Sequence, residues 1–343
     1  MTVLPEPSLR VIHVPEPMLG FGHNQLAEHP KDGLLLYGPL DRRDQPIQPR
    51  LGAIGTRDGV AYLERYLAEV SRRVEIEPPK KTDKKERPHL SDFPGLEEAF
   101  GLRLDLSRLA RRYIDAQALD GATRHVNHHE AVASAAAIYI AEVEAHAKDE
   151  EQEVDLWVLV LPEFVYERCR PKSLRKGLPL TRGEFGKRQR AREDLPLLAA
   201  VLDQSAEEIF DDIPDFHRHV KARLLKHGKT SQLFRETTLA PEEFLNKAGY
   251  PERSVQDRSS RAWNAATALY YKTQPQPPWK LAQVRPGVCY IGLVYKLIPN
   301  HPQDHACCAA QMFLNEGDGL VFRGANGPWK TGRNEFHLRA DEA

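Results

Sequence analysis

Cysteine is scarce in this chain of 343 residues. There are four, Cys169, Cys289, Cys307 and Cys308. None forms a CxxC pair and the adjacent pair is not a zinc-binding spacing, which argues against a disulfide framework and against structural zinc. Long hydrophobic runs are missing too. The apolar run LWVLVLP at 156–162 is about a third of a membrane span. The opening MTVLPEPSLRVIHVPEP places prolines and acids where a signal peptide needs an apolar core. These absences read as a cytoplasmic protein with no membrane segment. An excess of one charge is lacking as well: 48 Lys and Arg face 49 Asp and Glu, a formal net charge of −1. That excludes a uniformly basic, histone-like binder but leaves room for a local basic groove. What is there is ordinary for a globular chain, with 41% hydrophobic and 28% charged residues. The length suggests two or three domains of roughly 100–200 residues.

Residues 1–59 are rich in Pro and Gly, and GLLLYGPLD (33–41) reads as a short strand ending in a Gly-Pro turn. Helical spacing covers 60–77. PPKKTDKKERPH (78–89) reads as a solvated charged loop. DFPGLEEAFG (92–101) and the segment to about 148 read as helices. After the acidic DEEQEVD (149–155), LWVLVLP has the continuous apolar character of a buried parallel strand. EFVYERC starts a helix, DFHRHVKARLLKHG (215–228) is an amphipathic helix with a Gly stop, TSQLFRETTL (230–239) is a strand, and SSRAWNAATALYYK (259–272) is a helix. Strand and helix alternating in this way predict an α/β unit with a parallel sheet. The pattern breaks at PQPPWKL (275–281). CYIGLVYKLI (289–298) is then a strand, and HACCAAQMFL and LVFRGA flank NEGDG, a hairpin signal.

Charge is local although the total is neutral. Residues 168–192 hold ten Lys/Arg against one Glu, a net of +9, and residues 216–235 hold six Lys/Arg and three His with no acid. Such segregation is the electrostatic footprint of a polyanion groove; a single solvated basic loop is the plainer reading of either run alone. Within the α/β unit, His217 and Lys221 are four apart and share a helix face. Gln232 opens the next strand and Lys272 closes the following helix. Ligands of α/β sheets bind at the carboxyl edge of the strands. Two ammoniums, an imidazole and an amide converging there would suit a terminal phosphate, with charge from the first pair and directional hydrogen bonds from the second.

The blocks LRVIHVPEPMLGFG…HPKDGLLLYGPLD, FPGLEEAF, DLWVLVLPEFVYERC and VKARLLKHGKTSQLFRETTL, in this order, resemble short prokaryotic Argonaute proteins. NAATALYYKTQPQPPWKL followed by VCYIGLVYK resembles the junction of the MID and PIWI domains, and AAQMFLNEGDGLVFRG the first PIWI hairpin. The resemblance covers nearly the whole chain. It implies an α/β fold with an N-terminal α+β region over 1–150, a Rossmann-like MID domain over 151–285 and a partial RNase H-like PIWI domain over 286–343. By that likeness His217, Lys221, Gln232 and Lys272 form the guide 5′-phosphate pocket, His217 also stacking on the first base. A further helical Lys of many members falls at Ala268 here, so Arg218, Arg223 or Arg261 would have to compensate, with Thr230 and Asn264 lending polar contacts. The resemblance also leaves a place for Mg²⁺ at the guide 5′ end.

PIWI nucleases hold two divalent ions about 4 Å apart with carboxylates. In this chain the first of those positions falls near Val294, and 288–300 contains no Asp. A valine cannot ligand a hard cation, so catalytic residues and a slicer metal site are expected to be absent. Family members continue beyond the first hairpin, so the chain is expected to stop within PIWI, as a fragment or completed by another polypeptide. The implied function is a catalytically inactive guide binder. A small RNA with a 5′-phosphate would be the guide and single-stranded DNA the target. A partner with an APAZ domain fused to an effector would act in defence against plasmids or phage, the two forming a heterodimer. An active metal-dependent PIWI nuclease and a non-binding structural subunit are the alternatives. His125, His128 and His129 lack a further ligand and an HExxH pattern and read as a polar helix face.

Overall fold

The computed structural model describes residues 16–78, 90–149, 153–171, 173, 214–282, 288–297, 306–313, 319–327, 330–332 and 335–336. Most of the +9 segment and of the charged loop therefore lies outside the described residues. The chain forms two compact units, one of residues 42–276 and one of residues 1–41 with 277–343.

In the second of these, β1 (Leu19–Gly20) pairs antiparallel with β2 (Leu26–Ala27). The segment read as a strand, GLLLYGPLD, belongs instead to a helix, α1 (Pro30–Tyr37). Pro30 opens its first turn with a preset φ, Asp32 sits at its positive end, and no β-branched residue interrupts it. Gly38 at φ 73° ends it, its N–H donating to the Leu34 carbonyl.

The larger unit is built on four parallel strands: β3 (Leu51–Gly55), β4 (Ala110–Tyr113), β5 (Leu156–Leu161) and β6 (Ser231–Arg235), in the order β4-β3-β5-β6. All six residues of β5 are buried, as a central strand covered on both faces requires. Trp157, Leu159 and Leu161 point to the face covered by α4 (Ala116–Thr123), α5 (His128–Asp149) and α7 (Phe216–Lys226), with α6 (Glu163–Arg168) leaving the end of β5. α5 buries Val132, Ala135, Ala136, Tyr139 and Val143, an i, i+3, i+4 stripe. The Tyr139 hydroxyl donates to the Val160 carbonyl at 2.8 Å. The opposite face is met by α2 (Arg57–Val70) and α9 (Arg258–Thr273). Thr56 caps α2 by accepting from the Gly59 N–H at 3.0 Å, and Asp215 and Asp257 cap α7 and α9 in the same way. Trp263 of α9 packs edge-on to Phe93, ring centres 5.0 Å apart, and reaches Phe100 of the short helix α3 (Leu96–Phe100).

The α/β fold with a parallel sheet is as expected. Three local expectations differ. Residues 92–148 are not helical throughout, because Ala110–Tyr113 pairs with β3 as an edge strand whose charged ARRY sequence carries no strand signal of its own. The helix over 60–77 stops at Val70, where the Ser71 hydroxyl turns back to the Leu67 carbonyl. The strand over 230–239 ends at Arg235 and continues as one helical turn, α8 (Glu236–Leu239). The boundary drawn at residue 150 falls inside the larger unit: β3 and β4 precede it, β5 and β6 follow it, and all four share one sheet.

Returning to the second unit, β7 (Lys280–Leu281) pairs with β1. β8 (Tyr290–Leu297), β9 (Ala306–Phe313) and β10 (Gly319–Gly327) form an antiparallel sheet in the order β10-β9-β8, the expected hairpin being β9 and β10. Val294 pairs with Ala309 in its register.

Gly52 lies beside Trp157 in the sheet, and a Cβ built there would sit 2.4 Å from the indole ring. Both β3 and the buried Trp157 are held on two sides, so neither can shift cheaply. Gly52→Ala is expected to cost about 1–3 kcal/mol. Denaturant unfolding followed by tryptophan fluorescence checks this, and an unchanged midpoint would show that the strand yields.

Candidate functional site

β6 is an edge strand, so helices on opposite faces of the sheet can meet around its first residues. Leu233 faces the α5 and α7 side, whereas Phe234 meets Tyr66 of α2 with ring centres 6.0 Å apart. Alternation then turns Gln232 to the α2 and α9 side. Lys272, in the last turn of α9, extends to it: its Nζ donates to Gln232 Oε1 at 2.7 Å and to the Ser231 carbonyl at 2.6 Å. The Gln232 Nε2 donates to the Leu233 carbonyl at 2.8 Å. Both ends of the amide are thus engaged, and Gln232 acts by holding Lys272.

Lys221 reaches the same place from α7, close enough for its charge to act on Lys272. Burial first, and then the Lys221 charge, lower the Lys272 pKa to about 8. His217 stands one turn before Lys221. Partial burial of its ring, followed by the Lys221 charge and, more weakly, that of Lys272, holds its pKa below the ordinary imidazole value. Asp215 opposes this only in part, being engaged with the His217 backbone N–H at 3.0 Å and with Arg218 at 3.4 Å. Neither Lys221 nor Lys272 meets a carboxylate among the described residues. Two half-buried ammoniums in contact repel each other and lack counter-charge, which is the electrostatic state an anion relieves.

The four residues grouped from the sequence are therefore brought together, but not where expected. They gather at the amino end of β6 and not at the carboxyl edge of the sheet. The crevice at the carboxyl edge, where strand order reverses between β3 and β5, is filled by the chain itself. The Thr56 hydroxyl donates there to Glu236 Oε1 at 3.0 Å, and the buried Glu236 has its pKa raised, chiefly by burial. Glu163 beside it is held by Arg235 and by the Thr237 hydroxyl at 2.9 Å.

Of the additional contacts, Arg218 lies exposed beside Asp215, and Arg223 is partly buried on α7. Thr230 borders the site, its carbonyl accepting from the Trp157 N–H at 3.0 Å. Arg261 and Asn264 are not brought to it. Arg261 lies eleven residues before Lys272 on α9, about 16 Å along the axis, and donates to the Thr238 carbonyl. Asn264 donates to Gln256 at 2.7 Å. Ala268, one turn before Lys272, is thus not compensated by Arg261. The Ser231 carbonyl was missed, because a backbone acceptor leaves no mark in a sequence.

A divalent cation does not fit this donor set. Two ammoniums and an imidazole repel it, and the one amide oxygen is taken by Lys272. Among the described residues no group of three His, Cys, Asp or Glu side chains could hold a metal. Likewise, no helix among the described residues is long and apolar enough to cross a membrane.

No protein-family model matches the chain, and no curated protein does. Among solved structures the chain is similar to Clostridium butyricum Argonaute bound to a guide DNA with a 5′ deoxycytidine and a 19-mer target DNA. The identity is 11% and the TM-score 0.46, over 92% of this chain and 31% of that one. The chain therefore spans about a third of that protein's length. The functional reading below rests on the side chains of the site.

The lowered Lys272 pKa has a consequence for stability. An unfolded lysine titrates near 10.5, the folded one near 8. Between those values the unfolded chain holds a proton that the folded chain does not, so raising the pH from 8 to 10 favours the folded state. The stability of the native protein relative to Lys272→Met is expected to rise across that range in denaturant titrations, and a flat difference would show an unperturbed lysine.

Proposed function

We infer that this chain binds the 5′-phosphate of a guide nucleic acid, in the manner its sequence resemblance to short Argonautes implies. The observation that carries this is the Lys221–Lys272 ammonium pair, half-buried, close together and without a carboxylate among the described residues, with His217 beside it. In this reading residues 42–276 contain the MID-like unit, and the β8–β10 sheet is the opening of an RNase H-like PIWI domain. A phosphate dianion replaces the missing counter-charge. Lys272, fixed by Gln232 and the Ser231 carbonyl, bonds one oxygen, Lys221 a second, and the His217 imidazole a third while its face lies under the first base. A small RNA is the guide and single-stranded DNA the target. Base pairing reads sequence while basic side chains track the backbone.

The chain itself does not cut the target: Val294 stands where a metal-binding carboxylate is needed, and 288–300 has no Asp. Its output is passed to a partner with an APAZ domain and an effector. The resemblance alone supports the choice of RNA guide, the DNA target and this partner. The phosphate reading has independent support in the site geometry.

Two measurements test this. A 5′-phosphorylated guide is expected to bind about 10- to 100-fold more tightly than its 5′-hydroxyl counterpart, the span of one or two charged hydrogen bonds. Lys221→Ala and Lys272→Ala should each erase most of that preference. If the phosphate makes no difference, or neither substitution weakens binding, the pocket is misassigned. Protein carrying a guide should also leave a complementary DNA strand intact in Mg²⁺ or Mn²⁺. Robust cleavage lost in Glu335→Gln would overturn the non-cutting assignment.

A further inference from the structure

Two arginines that meet no carboxylate among the described residues lie in the larger unit, at the opposite end of α9. A cleft of about 870 Å³ opens there, lined among others by Arg253, Arg261, Tyr250, Leu245, Glu242 and Glu77. That volume is in the range of small-molecule sites. Arg50, Arg112, Arg168 and Arg258 each meet a carboxylate. Among the described residues Arg253 and Arg261 do not. Arg253 donates from Nε to Thr237 Oγ1 at 2.7 Å, from Nη2 to Thr238 Oγ1, and from Nη1 to the Ser254 carbonyl at 3.4 Å. Arg261 donates from Nη1 to the Thr238 carbonyl, while its Nε is buried without a hydrogen-bond partner. The buried Tyr66 hydroxyl, which feels the Arg261 charge, is also unpartnered. The carboxylate close by, Glu163, is already held by Arg235 and Thr237. Burial, and then the neighbouring Arg235 charge, lower the pKa of Arg253, with Glu163 opposing them.

The far wall is built to display apolar surface. Asn246 pins a tight loop: its N–H donates to the Tyr250 carbonyl at 2.7 Å, and its Oδ1 accepts from the Ala248 and Tyr250 N–H groups at 2.9 and 3.2 Å. Leu245 and Pro251 bridge across it, and Gly249 at φ 77° makes the turn. The ordered backbone leaves Tyr250 69% and Leu245 47% exposed at the cleft. An exposed aromatic lining the same cleft as these two guanidiniums suits a ligand with a flat ring at one end and an anion at the other. Glu242 and Glu77 add acceptors for sugar hydroxyls or an exocyclic amine.

We propose that this cleft binds a nucleotide, its phosphate on Arg253 and Arg261 and its base against Tyr250 and Leu245. The nucleotide is either free or part of a nucleic acid strand. The site is separate from the Lys221–Lys272 pair and stands whether or not that pair holds a guide.

Calorimetry of the Lys221→Ala protein with adenosine 5′-monophosphate tests this, because the Lys221–Lys272 pair would itself take a 5′-phosphate. Adenosine without the phosphate should bind at least about tenfold more weakly. Tyr250→Ala, an exposed position that leaves the fold intact, should weaken the nucleotide about tenfold through loss of stacking, and Arg261→Met comparably. A 5′-hydroxyl oligonucleotide that displaces the nucleotide in the Lys221→Ala protein identifies a strand as the occupant, and failure to displace identifies the free nucleotide. No binding to the Lys221→Ala protein, or binding indifferent to Tyr250→Ala, overturns the proposal.

Discussion

A strand buried on both faces can satisfy its backbone only through its two neighbours, and β5 imposes that condition on the larger unit. Its six apolar residues supply no polar side chain, so β3 and β6 must pair with it along its length. This places β6 at the edge, with Trp157 opposite Ser231 and Val158 opposite Gln232. The register has a direct consequence. It presents the Ser231 carbonyl and the Gln232 amide at the open start of the edge strand, where Lys272 from one face and Lys221 from the other arrive together. The candidate site follows from strand burial, without any specialised loop.

The second constraint is charge neutralisation. The acidic patch that balances the composition is used structurally. Asp155 accepts from the Arg50 backbone and guanidinium, at 2.5–3.1 Å, beside the entry to β5. Its carboxyl is accordingly held below the usual range, first by the Arg50 side chain. Glu163, Glu142, Asp120 and Glu69 are likewise committed to arginines. Among the described residues, cations that meet no carboxylate lie at both ends of α9, Lys272 at one and Arg261 at the other.

Much of this was legible in the sequence, for identifiable reasons. The continuous apolar run announced β5, the amphipathic pattern with its Gly stop announced α7, and SSRAWNAATALYYK announced α9, although Asp257 just before it supplies the cap. Spacing also grouped His217 and Lys221 on one face. What could not be read was decided by partners far along the chain. Ala110–Tyr113 becomes a strand only because β3 lies beside it. GLLLYGPLD contains the residues of either state and is settled by Pro30 upstream and Gly38 within it. Arg261 and Asn264 look available on a helix drawn alone, yet Thr238 and Gln256 take them. Arg253, between Pro251 and Ser254, reads as an ordinary turn residue. Its significance lies in which acids fail to reach it.

The misplacement of the site within the sheet has a physical cause. A doubly wound sheet offers a ligand crevice at its carboxyl edge because helix N-termini converge there with unsatisfied N–H groups. In this chain Thr56 caps α2 with its own hydroxyl oxygen, and that hydroxyl donates its proton to Glu236. Gly59 in the first turn of α2 leaves room for this, since a Cβ there would sit 2.9 Å from the Glu236 carboxyl. The positive end of the helix is therefore occupied by a carboxyl group belonging to the fold. An incoming phosphate would have to displace a buried group already hydrogen-bonded and raised in pKa. At the amino end of β6 the situation is reversed: the ammoniums repel each other until an anion arrives. An anion is drawn to the place where the folded chain is electrostatically incomplete, and closing one end of the sheet with Glu236 leaves the other as that place.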